Sequence, residues 1–116
     1  MTAPIVDRLS ALEFEQELRR IGRLDRAAVP QNPLAAAVEQ IARNPAYTQS
    51  RLLTRILGAL TYDGGEFRRA ELSALDSATR AIVIALMDAY RAGTVAHAQW
   101  VSAVDAANAA QLSAER

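Results

Sequence analysis

Apolar residues recur at every third or fourth position through most of this chain, which is the period of an amphipathic α-helix. In the clearest segment Leu53, Ile56 and Leu60 fall on one side, with Arg51 and Arg55 on the other. No stretch alternates apolar and polar residues as a half-buried strand does. The pattern predicts helices over 10–22, 33–44, 45–61, 66–75, 77–92 and 95–112.

Capping signals support the bounds of these helices. Ser10 and Glu13 have the spacing of a capping box, and Asn32 precedes a proline at the first helical position. Gly93 is expected to end the fifth helix, where it permits a positive φ, and Thr94 to cap the last one.

The chain is therefore predicted to be all-α: a compact bundle of five to six short helices with no sheet. Its 116 residues fit a single helical domain over 1–116. Residues 1–9 and 113–116 are expected to fray. A connector over 23–31 and a turn at 63–65 are short enough that consecutive helices pack as neighbours.

Residue types that most enzymes use for chemistry are scarce. The chain has no Cys, its single histidine is His97, and all 13 of its basic residues are Arg. This excludes a Cys nucleophile and a Lys Schiff base. The acids Glu13 and Glu17 lie one turn apart on one helix, where they are expected to form a solvated face with Arg20 rather than a catalytic pair. His97 is expected at the edge of the core beside Trp100. We predict no catalytic, cofactor or metal site, and a protein that is not an enzyme.

Two glycine turns resemble parts of an EF-hand pair, over about a third of the chain. The spacing of the second half of an EF-hand loop occurs at Gly65, Phe67, Glu71 and Leu72 and again at Gly93, Val95, Gln99 and Trp100. The resemblance implies calcium, which requires several oxygen ligands at alternate loop positions. Neither loop supplies them, so both are expected to form helix–turn–helix corners without a metal.

Arginines define one candidate contact surface, although the net charge of the chain is zero. Arg51 and Arg55 lie one turn apart on the third helix, with Tyr47 one turn upstream. Such a face can be plain solvated surface, it can contact a protein, or it can hold phosphates while Tyr47 stacks on a base.

A second candidate surface lies on the fifth helix. There Ile84 is surrounded by Arg80, Asp88 and Arg91, as at the core of an interface with a polar rim, unless another helix covers it.

We expect a small helical protein that contacts another protein, as an adaptor, inhibitor or regulatory subunit. The candidate contact residues are Tyr47, Arg51, Thr54, Arg55, Arg68, Arg69, Arg80, Ile84, Asp88 and Arg91. The alternative is a helical nucleic-acid-binding protein that uses the face formed by Arg43, Arg51, Arg55, Arg68 and Arg69. A homodimer through the Ala-rich last helix is left open.

Location and origin are inferred from absences and composition. The sequence has no signal-peptide pattern and no apolar run long enough to cross a bilayer, so we expect a cytoplasmic protein without a membrane partner. The Ala- and Arg-rich composition suits a bacterial, phage or mobile-element system.

Overall fold

The computed structural model describes residues 8–21, 31–62 and 67–114, which form six α-helices and one pair of two-residue strands. The elements are β1 (Arg8–Leu9), α1 (Ala11–Ile21), α2 (Pro33–Arg43), α3 (Thr48–Tyr62), β2 (Phe67–Arg68), α4 (Arg69–Ala74), α5 (Ser77–Ala92) and α6 (His97–Ala114). The predicted all-α class is confirmed. In these ranges no helix has both the length and the apolar character needed to cross a membrane.

The caps predicted at Ser10, Asn32 and Gly93 are present. Ser10 and Glu13 form a reciprocal capping box, each side chain accepting the other residue's backbone N–H at 3.1 Å. The side chains of Asn32 and Asp76 each accept the N–H three residues further on, at 3.2 and 2.8 Å. Gly93 ends α5 with a φ of 65°, a conformation that a side chain disfavours.

Two helices begin later than the sequence predicts. The N–H of Tyr47 donates to the carbonyl of Asn44 at 3.1 Å, which closes a turn, so α3 begins at Thr48 rather than at 45. The last helix begins at His97 rather than at 95, directly after Ala96, so the expected cap at Thr94 is wrong. The connector over 23–31, except Gln31, and the turn at 63–65 lie outside the described residues.

A short antiparallel strand pair corrects the prediction of a chain without a sheet. Leu9 pairs with Phe67, and Arg8 pairs with Arg68. Leu9, expected in a frayed terminus, is buried in the core. Because Phe67 lies in β2, the fourth helix begins at Arg69 instead of 66.

Three helices, α2, α3 and α5, each pack against three other helices, and α2 packs against α3, α5 and α6. α3 packs against α2, α5 and α6, and α5 packs against α1, α2 and α3. The core is mainly aliphatic, with Leu53, Leu57 and Leu86 fully buried. The rings of Phe14 and Phe67 lie 5.2 Å apart and join α1 to β2.

A buried amide fixes the start of α5 onto α3. Gln49 donates to the carbonyl of Ala74 at 2.6 Å and accepts the N–H of Asp76 at 2.8 Å. Both bonds hold the α4–α5 turn, and Gln40 of α2 adds a 2.9 Å bond to Thr79. These bonds anchor the N-terminal end of α5 to α2 and α3.

Candidate protein-contact surface

Two small hollows lie where the end of α5 meets the first turn of α1, the end of α3 and the beginning of α6. One has a volume of about 200 Å³ and the other about 170 Å³. They share Leu60 and Tyr90, so they form one continuous surface. We call it the Tyr90 surface, and its principal residues are Leu12, Leu60, Met87, Tyr90, Arg91 and Trp100.

Helix termini position these side chains. The capping box begins α1 at Ala11, so Leu12 lies in the first turn, where 53% of it is exposed. α5 ends at Gly93, and the chain then turns into α6, which brings Trp100 beside Tyr90. The two rings meet edge to face at 87°, with their centroids 6.2 Å apart. Trp100 is buried, whereas Tyr90 is 41% exposed and available for contact.

An ion network forms one wall of the first hollow. The carboxylate of Glu15 is only 2% exposed, and it contacts Arg91 and, at 3.5 Å, Arg19. Arg19 also contacts Asp88. Two acids and two arginines balance each other, so this wall has no net charge and joins α1 to α5. Glu15 and Arg19 lie one helical turn apart on α1.

The size and composition of the Tyr90 surface favour contact with protein side chains. Pockets for small-molecule ligands typically measure about 300–1,000 Å³, and each hollow is smaller than that. Tyr90 and Arg91, which are exposed, belong to residue types that are enriched in protein interfaces and are frequent hot spots. Burying one apolar side chain in each hollow would contribute ~3–6 kcal/mol in total before the costs of association.

Two residues of the predicted arginine face, Arg55 and Arg68, bond to the buried carboxylate of Glu71. Arg55 donates through Nε to Glu71 at 2.7 Å, and the same carboxylate accepts the backbone N–H of Arg68 at 3.1 Å. Arg8, which the sequence did not single out, lies opposite Arg68 in the strand pair. Arg55 thus holds α4 against α3, while Arg68 and Arg69 are exposed beside it.

The start of α1 faces these arginines. The backbone N–H of Ser10 lowers the pKa of the Glu13 carboxyl below its usual value of 4.5, and the positive charge of Arg69 lowers it further.

The remaining residues of the predicted arginine face have separate environments. Arg51 is exposed on α3, and Tyr47 is exposed at the α2–α3 turn. The hydroxyl of Thr54 accepts a hydrogen bond from Gln111 of α6 at 3.2 Å, so it is partly covered. Arg43 pairs with an acid of its own helix at 2.7 Å.

The predicted contact residues of α5 pack against three different parts of the structure: the α4–α5 turn, the core and α1. Arg80 donates to a carbonyl of the α4–α5 turn at 3.0 Å. Ile84 is partly buried and packs against the core, which leaves less of it for contact than an open helix face would. Asp88 and Arg91 bind α1 in the ion network.

The positions that resemble an EF-hand have structural roles. Glu71 is bonded to Arg55, and Gly93 forms a helix corner. His97 is exposed and lines the second hollow with Trp100. In residues 8–21, 31–62 and 67–114 no group of three or more His, Cys, Asp or Glu side chains could hold a metal.

Sequence reasoning missed most of the Tyr90 surface because four helix ends build it. One signal was present: Ala11, Phe14, Glu15 and Leu18 have the i, i+3, i+4, i+7 spacing of an inward stripe, which places Glu15 among apolar positions.

No protein-family model matches this chain, and neither a curated protein nor a solved structure gives a significant match.

Proposed function

We propose that this chain is a non-catalytic protein-contact module that binds another protein through the Tyr90 surface. The observation that carries this proposal is a mainly apolar hollow beside Leu12 that adjoins a second hollow of mixed lining, the two sharing Leu60 and Tyr90. In the cytoplasm of a bacterial or phage system such a module would act as an adaptor, inhibitor or regulatory subunit.

The chemistry of the surface defines the partner. The first hollow is mainly apolar and has room for one large side chain, and its wall formed by Glu15 and Arg91 has no net charge to recruit an ionic group. The second hollow includes Thr61 and His97 in its lining. The partner is therefore expected to offer an apolar anchor to the first hollow and a neighbouring neutral side chain to the second, rather than a charged segment. An exposed Tyr ring supported by a buried Trp is a rigid contact that loses little conformational entropy on binding.

Affinity purification from the organism that encodes the chain tests this proposal. Leu12→Glu places a charge at the first hollow, and because Leu12 is half exposed the fold should tolerate it. Leu112→Glu is the matched control, since Leu112 is 61% exposed near the far end of α6. Twelve helical residues separate it from Trp100, about 18 Å along the axis.

We expect a partner that the unmodified chain and Leu112→Glu recover equally, and that Leu12→Glu recovers at least about tenfold less, which corresponds to ~1.4 kcal/mol. Equal recovery by Leu12→Glu would reject the Tyr90 surface as the contact site. Circular dichroism of each variant verifies that the fold is intact.

Nucleic-acid binding is the second candidate function, favoured by the pairing of Arg8 with Arg68 beside Arg69 and Arg55. Its test is the anisotropy of a labelled DNA duplex measured over a range of salt concentrations. Binding through phosphates would weaken steeply as salt rises. Arg69→Ala would reduce that dependence, whereas Arg20→Ala, on the exposed side of α1, would not.

A further inference from the structure

The single histidine of the chain lies in the second hollow of the Tyr90 surface. His97 is the first residue of α6, and it lines this hollow together with Tyr90 and Trp100. The residue is exposed. Over residues 8–21, 31–62 and 67–114, no hydrogen bond or ion pair engages its imidazole ring. The ring is therefore open both to water and to a partner that enters the hollow.

Histidine is the side chain whose charge changes most readily near neutral pH. Its ordinary pKa is ~6.5, so imidazole rings commonly gain a positive charge between about pH 8 and about pH 5. Tyrosine and arginine side chains ordinarily keep one charge state across that range. Because the sequence contains no second histidine, a change of charge in this hollow near neutral pH would come from His97.

The other described groups that line the second hollow are uncharged near neutral pH. α5 contributes the phenol of Tyr90, and α3 contributes Leu60 and Thr61. Tyr62, which follows them, ends α3 and is exposed. While the imidazole is neutral, the hollow therefore suits a neutral partner side chain.

The described acids near the hollow are already paired or lie far along the helix. Glu15 is the only carboxylate that lines either hollow, and it contacts Arg91. Asp88 of α5 contacts Arg19. The only acid of α6 is Asp105, eight residues after the histidine and about 12 Å away along the axis. A protonated ring would thus add a positive charge that these acids do not balance.

Burial of the ring by a partner depends on that charge. Taking an imidazolium out of water costs more than taking out a neutral imidazole, because a charged group loses more hydration. A partner that covers the ring with a neutral side chain therefore binds the neutral form better. Binding that favours one form shifts the equilibrium between the two forms, so such a partner is released as the pH falls.

We propose that His97 makes contact at the Tyr90 surface dependent on pH. The surface binds a neutral partner side chain while the ring is uncharged, and it releases that side chain when the ring is protonated. The protonated hollow instead favours a carboxylate, which forms a charge-assisted hydrogen bond with the ring. This inference rests on the proposed function, because it concerns the regulation of the same surface.

Two small probes of similar shape test the hollow directly. N-acetyl-leucinamide is neutral, and N-acetyl-leucine carries a carboxylate that stays ionised above about pH 5. Trp100 is the only Trp of the chain, so the NMR signal of its indole N–H reports binding in the second hollow. Titrations give the dissociation constants of both probes at about pH 8 and about pH 5.5.

The ratio of the two dissociation constants is the expected readout. An imidazole of ordinary pKa is about nine-tenths protonated at about pH 5.5. We therefore expect the preference for the neutral probe over the carboxylate to fall at least about fivefold between about pH 8 and about pH 5.5.

Two matched variants assign the effect to His97. His97→Gln keeps a neutral polar side chain at the start of α6. His97→Gln combined with Gln99→His keeps one imidazole on the same helix, but Gln99 lines neither hollow. Both positions are exposed, so the fold should tolerate both variants, which circular dichroism verifies. In each variant the probe preference is expected to be the same at both pH values.

A probe preference that does not change with pH in the unmodified chain would overturn the inference. So would a change of equal size in His97→Gln, or a Trp100 signal that neither probe shifts at either pH.

Recovery of the cellular partner separates this inference from the proposed function. The unmodified chain is expected to recover the partner at least about fivefold less at about pH 5.5 than at about pH 8, and His97→Gln is expected to lose that dependence. If Leu12→Glu lowers recovery but recovery by the unmodified chain does not depend on pH, the contact surface stands and the inference fails. Equal recovery by Leu12→Glu would reject the proposed function, and the inference with it.

Discussion

Removing Arg91 tests how the Tyr90 surface is supported. Its guanidinium contacts Glu15, whose carboxylate is 2% exposed and would otherwise face the apolar side chains of α1 and α5. Arg91→Ala deletes one of the two cations that stabilise this buried charge. Arg19 remains, at 3.5 Å from the same carboxylate.

We expect Arg91→Ala to cause a loss of stability between those of a buried and an exposed ion pair. Removing one partner of a fully buried ion pair costs ~3–5 kcal/mol, mainly because the other charge is left without compensation. Arg91 itself is 57% exposed and Arg19 remains in place, so solvent and the second cation reduce the loss. We expect Arg91→Ala to lower the free energy of unfolding by ~1–2 kcal/mol.

A double-mutant cycle isolates the charge effect. Glu15→Gln keeps the shape of the side chain but removes its charge, so Arg91→Ala should cost ~0.5 kcal/mol or less in that background. Urea unfolding followed by circular dichroism measures all four proteins. Arg20→Ala is the control, because its pair with Glu17 lies on the exposed side of α1 and is worth less than ~1 kcal/mol. A coupling energy near zero, or an Arg91→Ala effect no larger than that of Arg20→Ala, would refute this explanation of the network.

Three further predictions concern the scaffold. Gln49→Leu removes both bonds to the α4–α5 turn and should lower the free energy of unfolding by ~1–3 kcal/mol in urea titrations; a neutral effect would mean that the turn does not depend on this amide. Gly93→Ala should destabilise the folded protein by ~1–2 kcal/mol, because the φ of Gly93 is 65°. Gly58→Ala should stabilise it by ~0.5–1 kcal/mol, because Gly58 lies in a helix and nothing is within 4 Å of the added methyl group. Shifts of the same sign for both variants in thermal melts would contradict this. The folded-state pKa of Glu13 is lowered, so its stabilising contribution is present above its usual pKa of 4.5 and is lost as pH falls through the lower, folded-state value. Glu13→Gln should therefore flatten the dependence of Tm on pH in that acid range, and an unchanged profile would exclude this contribution.

Local signals in the sequence predicted much of the fold. The Ser10–Glu13 box and the Gly93 corner act within one or two helical turns, so they can be identified without knowing the neighbours. The pairing of Leu9 with Phe67 could not be predicted in the same way. It joins positions 58 residues apart, and two residues per strand are too few to show an alternating pattern.

The candidate site was harder to predict, because its residues come from different elements. Glu15 and Glu71 were visible as acids, but their burial depends on Arg91 and Arg55 from other helices. In the sequence Tyr90 follows Ile82 and Leu86 at a helical spacing of four residues, which places it on the apolar face of α5. Tyr90 lines two hollows and remains partly exposed because the ends of α1, α3 and α6 lie around it.

Photo-cross-linking from Tyr90 tests the central claim most directly. A benzophenone amino acid replaces Tyr90 in one variant and Tyr47 in a matched control, since Tyr47 is also exposed, with 56% of its surface accessible, but lies at the α2–α3 turn. Irradiation of cells that express each variant is expected to give a discrete cross-linked partner protein from position 90 and none from position 47. A partner cross-linked only from position 47, or no cross-link from position 90, would contradict protein contact through the Tyr90 surface.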